Sequence, residues 1–228
     1  MDKPLISYVL PTYNRVEWVG ECMQSLLQQT EKNIELVVVD DCSTDGSDEL
    51  LDWFADKDKR VKLIYNATNQ GAGRSRNIGN NYSNADLIGV CDSDDVYPDC
   101  RTEETLKFFK EHANGPIMMT APYVRVNYFG ASTEDFNGEA FNEKLFKETG
   151  GINYFCHPAA AYMKKDILEI GGYKPETDKV TDDYQLVQDW IAAGKKIGFM
   201  AEQYLCGHRV LPNSIMAKQR GFKAEWAQ

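Results

Sequence analysis

Along the first 110 residues the hydrophobic pattern switches period in a regular way. Leu5 to Leu10 is a short apolar run closed by Pro11. From Val16 the spacing turns helical, with Val16, Val19, Met23, Leu26 and Leu27 on one face. Ile34 to Val39 is a second run, rich in β-branched residues and closed by Asp40-Asp41. Ser47 then opens an acidic-capped helix through Leu50, Leu51 and Phe54. Val61 to Tyr65 predicts a third strand, and Gly71 to Tyr82 a loop running into a helix. Leu87 to Cys91 predicts a fourth strand, and Pro98 the start of a helix through Leu106 and Phe109.

Strands alternating with helices at this spacing predict βαβ units and a parallel sheet. The strands are apolar throughout, as expected where helices cover both faces. Right-handed crossovers put the carboxyl ends of such strands on one edge, where ligands bind in open α/β sheets. Pro11-Thr12-Tyr13-Asn14, Asp40-Asp41, Asn66 to Asn69 and Asp92 to Asp95 all follow strands, so they should converge on one crevice.

The second half is less regular. Ile117 to Tyr128 reads as one or two strands, and Phe129 to Gly151, rich in Gly, Asn and Glu, as a mobile loop. Tyr154 to Met163 reads as a strand, followed by a short helix and a Gly171-Gly172 turn. Asp182 to Ala193 is an amphipathic helix, and two short strands finish the chain. With no internal repeat and no low-complexity linker, the expectation is one α/β domain over residues 1–228, a mostly parallel, Rossmann-like sheet flanked by helices.

Charge narrows the function. A net charge of −10 repels phosphate backbones and disfavours a nucleic-acid partner. The six cysteines form no C-x-x-C pair, so no zinc cluster is indicated. Met1-Asp2-Lys3-Pro4 runs straight into a strand pattern without a signal peptide, and no apolar run approaches the length of a membrane span. The expectation is a cytoplasmic protein with free thiols that meets a membrane only peripherally.

Asp92-Ser93-Asp94-Asp95 crowds three carboxylates into four residues directly after a buried strand. Their repulsion costs stability unless a cation neutralises it, and an all-oxygen donor set suits Mg²⁺ or Mn²⁺. A solvated acidic loop is the competing reading, and the position at a strand end weakens it. Asp40 and Asp41 form a second acidic turn, read either as part of a helix cap or as acceptors for a base or ribose. Between them, residues 69–77 form a glycine-containing loop in which Arg74 or Arg76 suits a diphosphate, although the glycines also explain a simple turn. This loop lacks the spacing of a P-loop, and no G-x-G-x-x-G follows the first strand, so a P-loop ATPase and a dinucleotide oxidoreductase are disfavoured.

The ordered set Val9-Leu10-Pro11-Thr12-Tyr13-Asn14, Val37 to Ser43, Asn69-x-Gly71 with Ser75-Arg76-Asn77, and Asp92-Ser93-Asp94-Asp95 resembles the family 2 glycosyltransferases of the GT-A fold. The likeness is close over about the first 110 residues and loose beyond. It implies an inverting enzyme that takes a sugar from a nucleotide-diphosphate donor, a UDP-sugar first among the choices, to a glycan, lipid-linked or small-molecule acceptor. Residues 1–110 would bind the donor and residues 111–228 the acceptor. By the same resemblance Pro11, Tyr13 and Asp41 would hold the nucleobase, with Thr12 and Asn14 also on the donor side. Asn69, Gly71 and Arg76 would lie near the donor, with Asp92 and Ser93 at the ribose and Asp95 close by. Asp94 would bind the metal and Asp183, in Thr181-Asp182-Asp183, would be the catalytic base. An ordinary acidic first turn explains Asp182 and Asp183 equally well.

The segment His208 to Ser214 is similar to a late family segment that often carries a histidine where Leu211 stands here, which leaves His208 either as its replacement at the metal or as a satisfied structural histidine. His157 is a further residue for the acceptor side. Gln219-Arg220-Gly221-Phe222 does not match the Q-x-x-R-W of processive members, so a single-addition enzyme is expected. A sugar-phosphate nucleotidyltransferase and a non-catalytic sugar-binding domain are the rivals. The first would normally carry a glycine-rich loop directly after the first strand, where Pro11 to Arg15 has none.

Overall fold

Four strands, β1 (Ile6–Thr12), β2 (Ile34–Asp40), β3 (Val61–Tyr65) and β4 (Leu87–Val90), lie parallel in the order β3-β2-β1-β4. They alternate with α1 (Val19–Leu27), α2 (Ser47–Lys57), α3 (Ala72–Tyr82) and α4 (Arg101–Glu111). The computed structural model describes residues 3–113, 115, 117–127, 129, 131–136, 141–149, 155–175, 181–209 and 211.

Every residue of β1 and β2 is buried. Successive side chains of a strand point to opposite faces, and both faces are covered here. Ile6, Tyr8 and Leu10 join Val19, Met23 and Leu26 of α1 in one core, while Val9 joins Ile88, Val90 and Trp190 in the other. This is why the strands show no polar alternation. Two buried polar exceptions, Ser7 and Glu35, satisfy each other: Ser7 donates to Glu35, which also accepts from Asn84 and pairs with Lys62.

The second half extends the sheet and adds a small one. It contains β5 (Ile117–Thr120), β6 (Tyr123–Val126), β7 (Ser132–Phe136), α5 (Glu143–Thr149), a 3₁₀ turn (His157–Ala159), β8 (Ala161–Met163), α6 (Lys164–Glu169), α7 (Asp182–Ala192), β9 (Lys196–Phe199) and β10 (Cys206–Arg209). Strand β8 inserts antiparallel between β4 and β5, giving the order β3-β2-β1-β4-β8-β5-β9. The second sheet runs β10-β6-β7 and is tied to the first half by a bridge between Val96 and Gly207. Strand β1 has β2 on one side and β4 on the other, so the order reverses there. The crevice beyond their carboxyl ends is the ligand position of an open α/β sheet.

Several boundaries differ from the sequence pattern. Helix α1 starts at Val19, because the Arg15 carbonyl already accepts from the Trp18 and Val19 amides, and Val16 is left exposed. Ser47 does not cap α2; Gly46 precedes it in a left-handed conformation, and the buried Ser47 hydroxyl turns to Asp45. Helix α4 starts at Arg101 rather than at Pro98. The stretch read as a strand from Tyr154 splits into the 3₁₀ turn and a three-residue strand, with Pro158, which has no N–H for a ladder, inside the turn. The stretch read as one mobile loop contains β7 and α5; its residues 130, 137–140 and 150–151 lie outside the described residues.

Candidate active site

The acidic turn is rigid at both ends and open in the middle. At its start, the Asp92 amide donates to the Tyr97 hydroxyl at 2.8 Å, and the Cys22 thiol donates to the Asp92 carbonyl. Behind Tyr97 lies the fully buried Arg101, its guanidinium 4.3 Å from the Tyr97 ring centroid and its Nη2 donating to the Val90 carbonyl. At its end, Asp95 is wholly buried and committed to β10: Oδ1 accepts the Arg209 amide at 2.8 Å, and Oδ2 accepts the Cys206 thiol. His208 Nδ1 lies 3.2 Å from the same carboxylate.

That leaves Asp94 as the least committed carboxylate of the turn. It is partly exposed, and among the described residues its side chain meets Arg15, Nε to Oδ2 at 3.4 Å. Burial, then the neighbouring charges of Asp95 and Asp92, lifts its carboxyl to about 6. Asp92 goes the other way. Burial opposes its ionisation, but the Arg76 guanidinium overrides this and holds it below the usual carboxylate range. Burial would lower the His208 imidazole; the Asp95 charge and hydrogen bond instead raise it to about 10.

The other strand-end loops meet this turn through a chain of hydrogen bonds. Asn14, with a positive φ of 50°, places its amide against the Ser43 hydroxyl and its carbonyl oxygen Oδ1 against the Thr44 amide. Asp40 is satisfied locally by the amide and hydroxyl of Ser43. Asp41 spans to the next loop, its oxygens accepting the Gln70 and Gly71 amides and the Asn66 side chain. Gly71 has a φ of +87°, a conformation that L side chains rarely adopt, so glycine is required by the backbone there. Tyr13 and Asn69 are exposed along the crevice, and Pro11, Thr12 and Ser93 are buried at its floor. The Thr12 hydroxyl is buried without a hydrogen-bond partner.

Arg76 closes the ring. It is 6% exposed, and its Nη2 donates to Asp92 Oδ1 at 2.6 Å while Nη1 donates to Asp182 Oδ2 at 2.9 Å. Asp182 opens α7, so this one guanidinium brings the acidic turn and the Asp182-Asp183 pair together. Asp182 also packs against Gly73, where an added Cβ would lie 2.8 Å from its Oδ2. Asp183 is half-buried at the crevice, its Oδ1 accepting the Tyr184 amide at 2.7 Å. Beneath Arg76 lies Tyr173, with the guanidinium carbon 5.5 Å from the ring centroid and the hydroxyl hydrogen-bonded to both His157 and Tyr162. His157 is buried, and burial followed by the Arg76 charge keeps its imidazole below the ordinary value.

The residues expected to converge do so, and three of them have internal partners. His208 Nδ1 pairs with the Asp95 carboxylate, and among the described residues no contact joins it to the Asp94 side chain. Arg76 is an internal link between two acids, not a free phosphate contact. His157 belongs to the buried tyrosine network instead of lining an acceptor surface. Among the described residues no three His, Cys, Asp or Glu side chains form a ready-made metal cage. The roles of Asp182, Tyr173 and Arg209 are not visible in the local pattern, because their partners lie far along the chain. Leu211 is buried, while Val210 and Pro212 to Ser214 and the 219–222 segment lie outside the described residues.

The family 2 model of the glycosyl transferases matches residues 7–171. The chain is 34% identical over 236 residues to glycosyltransferase GlyG of Streptococcus pneumoniae, covering 98% of this chain and 76% of that one. It is 42% identical over 112 residues to an uncharacterized glycosyltransferase of Haemophilus influenzae, covering 49% of this chain and 45% of the relative. In fold it is similar to Staphylococcus aureus TarS 1–349 in complex with UDP-GlcNAc, with a TM-score of 0.75 at 22% identity, over 93% of this chain and 60% of that one. It is also similar to the mannosyltransferase PcManGT of Pyrobaculum calidifontis in complex with GDP-Man and Mn²⁺, with a TM-score of 0.70 at 16% identity, over 96% of this chain and 61% of that one. The chain thus spans under two thirds of the Haemophilus relative and of both solved proteins. The α/β sheet with its crevice is the GT-A architecture of these transferases, and by the family match the chain belongs to glycosyl transferase family 2.

Proposed function

We propose that the chain transfers a sugar, with inversion and in single additions, from a nucleotide-diphosphate donor to an acceptor hydroxyl. UDP-sugars are the leading donors, with TarS, a structural relative, crystallised with UDP-GlcNAc. The reading fits a protein that works in the cytoplasm on a glycan, lipid-linked or small-molecule acceptor. No helix among the described residues is long and apolar enough to cross a membrane.

The observation that carries this reading is the shared guanidinium. Arg76 joins Asp92 of the acidic turn to Asp182 of α7, so donor-side and base-side carboxylates face one crevice. In the donor half, Pro11, Thr12, Tyr13, Asn14 and the 69–71 loop pinned by Asp41 would frame the nucleoside, with Asp92 and Ser93 beside the ribose.

The acidic turn suits a divalent cation. Asp94, lifted to about 6 by burial and two neighbouring acids, is a carboxylate that a cation would stabilise. With no complete cage preformed, Asp94 would supply the protein's main contact and donor phosphates and water the rest, which is usual for Mg²⁺. Bound there, Mg²⁺ or Mn²⁺ would neutralise the charge that grows on the departing diphosphate. Asp183 then takes the proton of the attacking hydroxyl as that oxygen reaches the anomeric carbon from the face opposite the leaving group. The diphosphate leaves as an anion, so the second carboxylic acid of a glycoside hydrolase is not needed.

The first test is a thermal-shift screen of nucleoside diphosphates and nucleotide-sugars with and without Mn²⁺. A ligand that binds only the folded state raises the melting temperature. A Mn²⁺-dependent shift with one base is expected; no shift with any nucleotide would remove the donor reading.

A further inference from the structure

The acid pair at the start of α7 has two members, and the proposed chemistry uses only Asp183. Asp182 points inward to Arg76, a contact 106 residues apart in sequence. Three observations show that this contact is built. Arg76 is almost wholly buried, and the guanidinium bonds one acid through each terminal nitrogen. Its carbon lies over the Tyr173 ring, and Tyr173 is held at both backbone amide and carbonyl by Asn77, one residue along α3. Gly73, one turn earlier on the same helix, leaves the space that Asp182 fills. Helix α7 is therefore registered against α3 and the acidic turn through a single cation.

We propose that Arg76 is a positioning residue that couples donor binding to the catalytic base: one guanidinium shared between Asp92 and Asp182 transmits occupancy of the donor site to the first turn of α7, and so to Asp183. This rests on the donor reading above. A ribose or metal engaging Asp92 competes for the oxygen that Arg76 holds, and any weakening of that half of the link strengthens the demand of Arg76 on Asp182. The carboxylate of Asp182 accepts the Asp183 amide through its other oxygen, so a shift of Asp182 moves the backbone of Asp183 directly. A buried arginine has no alternative partner in water, which makes the two contacts mutually dependent.

The test is amide hydrogen exchange read on peptides covering 92–95 and 181–186, in wild type, Arg76→Lys, Asp182→Asn and the double variant. Lysine offers one point charge and cannot span both acids. Without nucleotide, each single variant should speed exchange in 181–186 about tenfold or more, because half of a buried pair is left uncompensated, and the double variant should add little further. Additive effects in the double variant would overturn the coupling. With UDP or GDP plus Mn²⁺, whichever raises the melting temperature, the wild type should slow exchange in 181–186 by about fivefold or more, a size typical of coupling between sites. In Asp182→Asn the slowing should be confined to 92–95. Equal slowing of 181–186 in both proteins would overturn the proposal. If neither nucleotide binds, the donor reading fails, while the nucleotide-free cycle still decides whether Arg76 and Asp182 act as one unit.

Discussion

Arg209→Met tests how the acidic turn is held. Arg209 is 2% exposed, and among the described residues its side chain donates from Nε to the Asp94 carbonyl at 2.8 Å, from Nη1 to the Asn127 carbonyl at 3.1 Å, and from Nη2 to Glu21 at 2.6 Å. Methionine fills much of the same volume but donates nothing. Two carbonyls then lose their donor, at roughly 1–3 kcal/mol each. The Glu21 side chain is half exposed, so its loss adds roughly 0–1 kcal/mol. The Asp95 contact survives, because it uses the Arg209 backbone amide. The sum is a destabilisation of about 2–7 kcal/mol, which at about 2–4 °C per kcal/mol for a chain of this size lowers the melting temperature by at least about 4 °C. Urea denaturation and thermal melting read this directly, and Arg209→Lys should fall between the two proteins because it keeps charge but not the fork. A melting temperature unchanged within about 2 °C would refute the claim that this guanidinium fastens the turn to β10.

Three further outcomes follow from the same geometry. Asp183→Asn keeps the oxygen that accepts the Tyr184 amide, so the fold and nucleotide binding should persist while turnover falls about 10²–10⁴-fold for want of a base; turnover within twofold of wild type would remove Asp183 from the chemistry. Asp94→Asn should stabilise the metal-free protein at neutral pH by about 1–3 kcal/mol. The sign follows from a raised acid: the cost of ionising Asp94 is absent below the unfolded value of 3.8 and reaches its full size above about 6, so urea curves in chelator should diverge from wild type between pH 4 and 7. The same variant should lose the Mn²⁺-dependent part of nucleotide affinity, and calorimetry showing unchanged affinity would sink the assignment of Asp94 to the cation.

Much of this was legible in the chain because it is local. A strand buried on both faces reads as an apolar run, and an acid placed directly after it reads as a crevice residue. Both inferences needed only neighbouring positions, and they put Asp41 and Asp92 just after β2 and β4. The antiparallel insertion of β8 was not legible, because three residues carry no periodicity. The roles of Asp95 and Arg76 were hidden for a different reason. Asp95 is told apart from Asp94 only by Cys206, His208 and Arg209, more than 110 positions away. Arg76 looks like a phosphate ligand until Asp182 is seen beside it. Ser47 opens α2 but does not cap it: its oxygen accepts the Arg15 amide and its hydroxyl donates to Asp45.

The most direct test of the transferase reading is product analysis. The protein is incubated with a panel of α-linked UDP-sugars and GDP-mannose, in Mn²⁺ and in chelator, while nucleoside diphosphate release and the anomeric form of the first sugar product are followed by NMR. Release that requires the cation and delivers the β product is the expected result, since attack opposite the leaving group inverts the centre. Release undiminished by the chelator, or an α product, would contradict it.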